Sequence, residues 1–114
     1  IVGLVQKGGH KEIIAIGTYA SEQDQRAEVA FVVREDYQGM GIASYLLEVL
    51  ERIAKENQYR RFSATVLRQN AAMIQVFKKR YPNLKISTQE GHEILIIMDF
   101  ADARTTPEAL PQKP

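Results

Sequence analysis

Glu28-Val-Ala-Phe-Val-Val-Arg-Glu-Asp-Tyr-Gln-Gly-Met-Gly-Ile-Ala43, running on into Ser44–Asn57, decides how this chain is read. Val29, Phe31 and Val33 alternate with Glu28, Ala30 and Val32, the period of a strand with two different faces. Gly39 and Gly41 then break the pattern, and from Ile42 onward apolar residues recur at helical spacing. The first N–H groups of a helix have no intrahelical partner and lie at the positive end of its macrodipole. Glycines just before them let a ligand approach the backbone closely. A strand, a glycine turn and a helix in that order therefore make a site for phosphate.

On the helix, Ile42, Leu46, Leu47, Leu50, Ile53 and Ala54 share one face, and Asn57 is a plausible stop. Glu48–Arg52 and Glu51–Lys55 are i,i+4 pairs expected on the opposite, wet face. Upstream, Ile1–Val5 and Glu12–Tyr19 read as a hairpin turning at Lys7-Gly8-Gly9-His10-Lys11. A short polar turn, Ser21–Gln25, leads into the strand Arg26–Val33. Downstream, Arg61–Leu67 reads as a fourth strand. With no room for a reversal, strand, helix and strand imply a parallel, right-handed crossover. Asn70 is an N-cap for a second helix, Ala71–Lys79, with Met73, Ile74 and Phe77 on one face. Lys78, Lys79 and Arg80 fall in its last turn and Tyr81-Pro82 ends it. Leu84–Ser87 and His92–Phe100 form a last pair of strands joined by Thr88–Gly91, and Ala101–Pro114 reads as a tail.

A chain of 114 residues fits one domain, here residues 1–100, with the tail at 101–114. Its 45% hydrophobic and 25% charged content is that of a soluble globular protein. A net charge of +1 gives no electrostatic case for nucleic acid or an anionic membrane. With no cysteine, disulfides, thiolate catalysis and cysteine metal sites are excluded. No apolar run nears the roughly 20 residues of a membrane span, and no signal peptide is visible, so the expected setting is cytoplasmic. The chain opens at Ile1 rather than Met and enters a strand at once, which points to a piece of a longer protein.

Gln38-Gly39-Met40-Gly41-Ile42-Ala43 resembles, at every position, the Arg/Gln-x-x-Gly-x-Gly/Ala signature of the GNAT superfamily of N-acetyltransferases. The order of strand, signature, long helix, strand, asparagine and short helix matches as well, over Ile1–Phe100. Within the superfamily, the stretch Glu28–Gly39 is similar to the bacterial Pat-type protein lysine acetyltransferases, in several of which the GNAT domain is fused to an acyl-CoA synthetase-like region. The resemblance implies an α/β fold with a mixed, mostly antiparallel sheet flanked by helices. That sheet would be splayed at Arg26–Val33 and Arg61–Leu67, and the family's first strand and helices would precede Ile1. It also implies acetyl transfer from acetyl-CoA to a primary amine. The backbone of the signature strand would pair with the pantetheine arm, beside Phe31 and Val33. Gln38, Gly39, Met40, Gly41, Ile42 and Ala43 would cradle the pyrophosphate, and Asn70 would hydrogen-bond the arm. Phe77 occupies the cofactor-side position where the family often has a tyrosine that protonates the leaving thiolate. Phenylalanine has no proton to give, so the thiolate leaves unaided, or Tyr81 or a water substitutes.

A lysine amine with a pKa of about 10.4 is neutral in only about one molecule in a few thousand at pH 7, so a base is required. Glu28 is the candidate, on the strand where the Pat-type enzymes keep a glutamate base. An apolar setting would bring its pKa into a useful range. Gly39-Met-Gly41-Ile-Ala-Ser44 lacks the third glycine of a dinucleotide fingerprint, and the chain has no Gly-Lys-Ser/Thr. His10 and His92 stand alone, so no metal site is expected. Lys78, Lys79 and Arg80 read as a solvated helix end, with the cofactor's 3′-phosphate as another partner for them. The function expected is protein lysine acetylation. The alternatives are a small-molecule amine acetyltransferase and a non-catalytic acyl-CoA-sensing module of a larger protein.

Overall fold

The computed structural model describes residues 2–7, 9–88 and 91–104. Its elements are β1 (Val2–Lys7), β2 (His10–Ser21), β3 (Arg26–Val33), α1 (Ile42–Glu56), β4 (Arg61–Leu67), α2 (Ala71–Arg80), β5 (Lys85–Thr88) and β6 (Glu93–Asp99). Short 3-10 turns at Glu35–Tyr37 and Phe100–Asp102 complete the order. The strands form one six-stranded sheet in the order β1-β2-β3-β4-β6-β5. Every neighbouring pair is antiparallel except β3 with β4. That exception is the expected crossover through α1, and the α/β, mostly antiparallel architecture is as the sequence implied.

Leu47, Leu50 and Ala54 of α1 and Phe77 of α2 share one core with Ala27, Val29, Phe62, Ala64, Ile94, Ile96 and Met98. Those sheet residues alternate along their strands, so among the described residues both helices cover the same face of the sheet. Burying each such large side chain is worth about 1.5–3 kcal/mol, which holds the helices where the periodicity put them. Among the described residues no helix covers the opposite face. There Ile16, Val32 and Leu67 remain 40%, 68% and 48% exposed.

Strict alternation misses one detail of β2. Gly3 pairs with Ala15 but Leu4 pairs with Ile13, so Ile14 is an extra residue in a bulge. Ile14 and Ala15 are in consequence both buried, packed with Leu46. The carbonyl of Ile14 accepts from the N–H of Arg34 at 2.7 Å, tying the bulge to the end of β3.

A second difference is chemical. Glu51, expected on the wet face of α1, is 2% exposed. The end of α2 folds over that flank and brings two donors from far along the chain. Arg80 donates to both Glu51 oxygens at 3.0 and 3.3 Å, and the Tyr81 hydroxyl donates to Oε1. The i,i+4 partner Lys55 adds a contact at 3.2 Å, while Glu48 pairs with Arg80 at 3.7 Å. Burial pushes the Glu51 carboxyl up, but the hydrogen bonds from Arg80 and Tyr81 outweigh it and hold it below the ordinary value. Burial, with the bond to Glu51, drives the Tyr81 phenol the other way, well above its usual range. The chain is fastened to the same corner further on, where Arg104 N–H donates to the Arg80 carbonyl at 2.6 Å. Of the segment read as a tail, residues 105–114 lie outside the described residues.

The folded Glu51 carboxyl releases its proton more readily than the unfolded one, so acid favours the unfolded chain. Its contribution is complete above the ordinary value of 4.5 and is lost as pH falls through the lower folded value. Glu51→Gln should cost about 2–3 kcal/mol at pH 7, because Arg80 loses its buried counter-ion. Urea unfolding at a series of pH values should show a smaller loss in the variant than in the wild type below about pH 4.5.

Candidate active site

The site begins where β3 and β4 part. They pair only through Arg26–Arg61, Ala27–Phe62 and Glu28–Ser63. Beyond that rung β3 continues to Val33 and β4 to Leu67, each paired only on its outer side, with β2 and β6. The inner backbone edge of Val29–Val33 is left without a strand partner. Such an edge persists only where water or a ligand can satisfy it.

The glycine turn lies at the open end of this fork. Arg34 is clamped by Asp36 at 2.7 and 2.9 Å and by Glu12 at 3.0 Å, and its guanidinium sits 5.3 Å over the Tyr37 ring. Its hydrogen bonds to Asp36, then to Glu12, raise its proton affinity further. Gln38 Nε2 donates to the Val33 carbonyl at 3.0 Å and closes the loop back on the strand. Gly39 and Gly41 have φ of 79° and 82°, a region that side-chain-bearing residues rarely adopt. A Cβ on either would meet nothing within 4 Å, so glycine is required by the dihedral and the space above it is open.

Gly41 is also the N-cap of α1. It offers no side-chain acceptor, and the first turn of α1 carries no acidic residue. The second helix is built differently, since Asn70 Oδ1 accepts from the Met73 N–H at 3.2 Å. The positive end of α1 thus has no side-chain cap, while Asn70 supplies one for α2.

Fork and turn open into one cleft of about 560 Å³. Of the expected residues, Phe31 and Val33 line it from β3 and Asn70 from the start of α2. Gln38, Gly39, Gly41, Ile42 and Ala43 line it from the turn and α1. Met40 is 67% exposed and is not part of the lining. Phe77 is 1% exposed and packs in the core, its ring centroid 6.2 Å from that of Phe31. It therefore supports a cleft residue and does not form the wall. Tyr81 does not replace it as a proton donor, because its hydroxyl is buried and given to Glu51.

Glu28 stands at the last rung of the fork, between Ala20 and Ser63. It is exposed on the face of the sheet opposite the helices, not in the apolar setting expected of it. Beside it the buried Ser63 hydroxyl donates to Glu22 at 2.7 Å, and Arg26 donates to the same Glu22 oxygen at 2.8 Å. The sequence reading missed the second wall, where α2 contributes Ala72, Met73, Gln75, Val76 and Lys79. Their three-and-four spacing was the available signal, but it does not say that this flank faces a cleft. His10 and His92 are exposed, and the described residues contain no cluster of metal-ligating side chains.

Residues 2–81 match the acetyltransferase (GNAT) family, and the chain belongs to that family. It is 36% identical over 80 residues to Acetyltransferase Pat of Mycolicibacterium smegmatis, which covers 68% of this chain and 24% of that protein. The chain thus spans about a quarter of that relative's length. The GNAT domain of S. lividans PAT superposes with a TM-score of 0.67 at 33% identity, over 83% of this chain and 57% of the other. The fold is shared more widely. A PaiA N-acetyltransferase from Thermoplasma acidophilum, solved in complex with coenzyme A, has a TM-score of 0.67 at 19% identity, over 77% of this chain and 54% of the other.

The dihedral at Gly41 gives a direct test of the turn. Gly41→Ala should lower the unfolding free energy by about 1–2 kcal/mol, since alanine must adopt a left-handed conformation. Gly41→Asn, whose side chain tolerates that region, should lose less in the same denaturant titration.

Proposed function

We propose that this domain binds acetyl-CoA in the cleft and transfers the acetyl group to a primary amine, most fittingly a protein lysine. The observation that carries the reading is the opening of an unpaired β3 edge and an uncapped, glycine-preceded helix start into the same cleft. An extended amide-bearing arm suits the first, and a pyrophosphate suits the second. Membership of an acetyltransferase family supports the chemistry, and the likeness to Pat supports the protein acceptor.

In this mechanism the thioester lies in the fork. Backbone N–H groups of the β3 edge polarise its carbonyl and stabilise the oxyanion that forms on attack. Glu28, directly or through one water, takes a proton from the incoming ammonium. The freed amine nitrogen then bonds to the carbonyl carbon. The carbon–sulfur bond breaks as the oxyanion collapses, and the thiolate leaves with the electron pair. The newly bonded nitrogen still carries one excess proton, which the thiolate, a moderate base, takes through water, so a neutral amide and the free thiol result and the reaction does not require an acid at position 77.

A small-molecule amine would use the same groups, and that reading stays open as to acceptor. The position of Phe77 in the core favours a second reading, an acyl-CoA-sensing module of a larger protein, for which binding alone suffices. An acyl-CoA synthetase-like or transferase region in the same polypeptide and a cytoplasmic setting belong to this proposal.

Glu28 separates transfer from sensing. Calorimetry should show acetyl-CoA binding to the wild type and to Glu28→Gln alike. Acetyl transfer to a lysine peptide should fall by about two to four orders of magnitude in the variant. Unchanged turnover would remove Glu28 from the mechanism, and absence of binding at high micromolar acetyl-CoA would remove the donor.

A further inference from the structure

The last turn of α2 carries three consecutive cations, Lys78, Lys79 and Arg80, and the fold gives each a different environment. Arg80 is turned onto α1, 3.0 Å from Glu51 and 3.7 Å from Glu48. Lys78 is exposed and lies off the cleft lining. Lys79 is on that lining, where it follows Met73 and Val76 at three-residue intervals along one wall. The lining contains no carboxylate, and Lys79 is its one fully charged side chain among the described residues. It makes no ion pair with any described residue.

We infer that Lys79 binds the 3′-phosphomonoester on the ribose of coenzyme A and so selects coenzyme A over its 3′-dephospho form. The inference rests on the donor reading proposed above. If the pyrophosphate takes the uncapped start of α1 and the pantetheine arm takes the fork, one strongly charged group of the donor remains. A phosphomonoester carries between one and two negative charges at neutral pH. The cleft has one complementary cation left for it. At about 1.5 Å per residue, Lys79 lies roughly 13 Å along α2 from Asn70, so it marks a position well separated from the cradle at the head of the helices. A flexible ammonium donates to phosphate as a point charge and needs no fixed geometry. Glu48 and Glu51, the acidic groups that could compete, are already engaged by Arg80 and Lys55.

The test is calorimetry of coenzyme A and 3′-dephospho-coenzyme A against the wild type, Lys79→Met, Lys79→Arg and Lys78→Met. Methionine keeps the alkyl stem and removes the charge. The wild type should prefer coenzyme A by about fivefold, the size of one solvent-facing charge contact. That preference should shrink as salt is raised. Lys79→Met should bind the two forms equally by weakening coenzyme A alone, while Lys79→Arg and Lys78→Met keep the preference. A wild type that binds both forms equally overturns this inference and leaves the donor reading intact. So does a Lys79→Met that weakens both forms alike, which would put Lys79 at the pyrophosphate. A wild type that binds neither form overturns both.

Discussion

The parallel pairing of β3 with β4 stops after three rungs, and the rest of the molecule is arranged around that break. A parallel pair needs a crossover, and α1 supplies it. Because the two strands run the same way, the segments leaving them start from the same end of the sheet, so both helices begin near the open fork. Backbone groups that lose a strand partner must find another, and here they face a cleft. A helix start with no cap and a sheet edge with no neighbour are each a local defect. Placed together they open into one cleft, and under the proposed reading an elongated ligand with an anion partway along it satisfies both.

Keeping the fork open requires the two helices to stay in place. The main hydrophobic core does most of this, but α2 contributes Phe77 as its one fully buried side chain. The ionic corner of Glu51, Arg80, Tyr81 and Lys55 fixes its far end. A buried ion pair adds little net stability compared with a well-packed apolar replacement, whereas losing one member is costly. Its use here is geometric. It ties the end of α2 to α1, and α2 is the second wall of the cleft.

What was legible in the sequence was local. The bounds of β3 and β4, the apolar stripe of α1, the cap at Asn70 and the glycine turn all follow from periodicity, turn chemistry or a single hydrogen bond within three residues. What was not legible depends on which element covers which flank. Glu51 reads as solvated because its i,i+4 partner is Lys55, and nothing nearby announces that Arg80 and Tyr81 will close over it. Phe77 reads as a cleft residue by its spacing from Asn70, yet it is turned into the core against Phe31. Lys79, two positions on, reaches the cleft instead. Ile14 needs the register of β1 to be seen as a bulge. The glutamate at the fork came from the resemblance to the Pat-type enzymes, and its exposure did not follow, because alternation gives a residue's face and not what lies over that face.

That exposure bears on how the transfer would proceed. Phe31 and Val33 line the cleft from the helix-covered face of β3, and Val32, from the opposite face, lines it too. The cleft thus lies along the unpaired edge of β3, where the two faces of the sheet adjoin. Under the proposed reading, the donor occupies the helix side with its thioester in the gap, and the amine arrives from the side of Glu28. Donor and acceptor then meet at one carbon from opposite faces, each without displacing the other. A double-displacement route would need a nucleophile in the gap to hold the acetyl group between two visits. The chain has no cysteine, and the one hydroxyl side chain at the last rung, Ser63, is buried and donates to Glu22. The proposed reading is instead direct attack in a ternary complex, which asks of the protein a polarising backbone edge and a carboxylate at the fork.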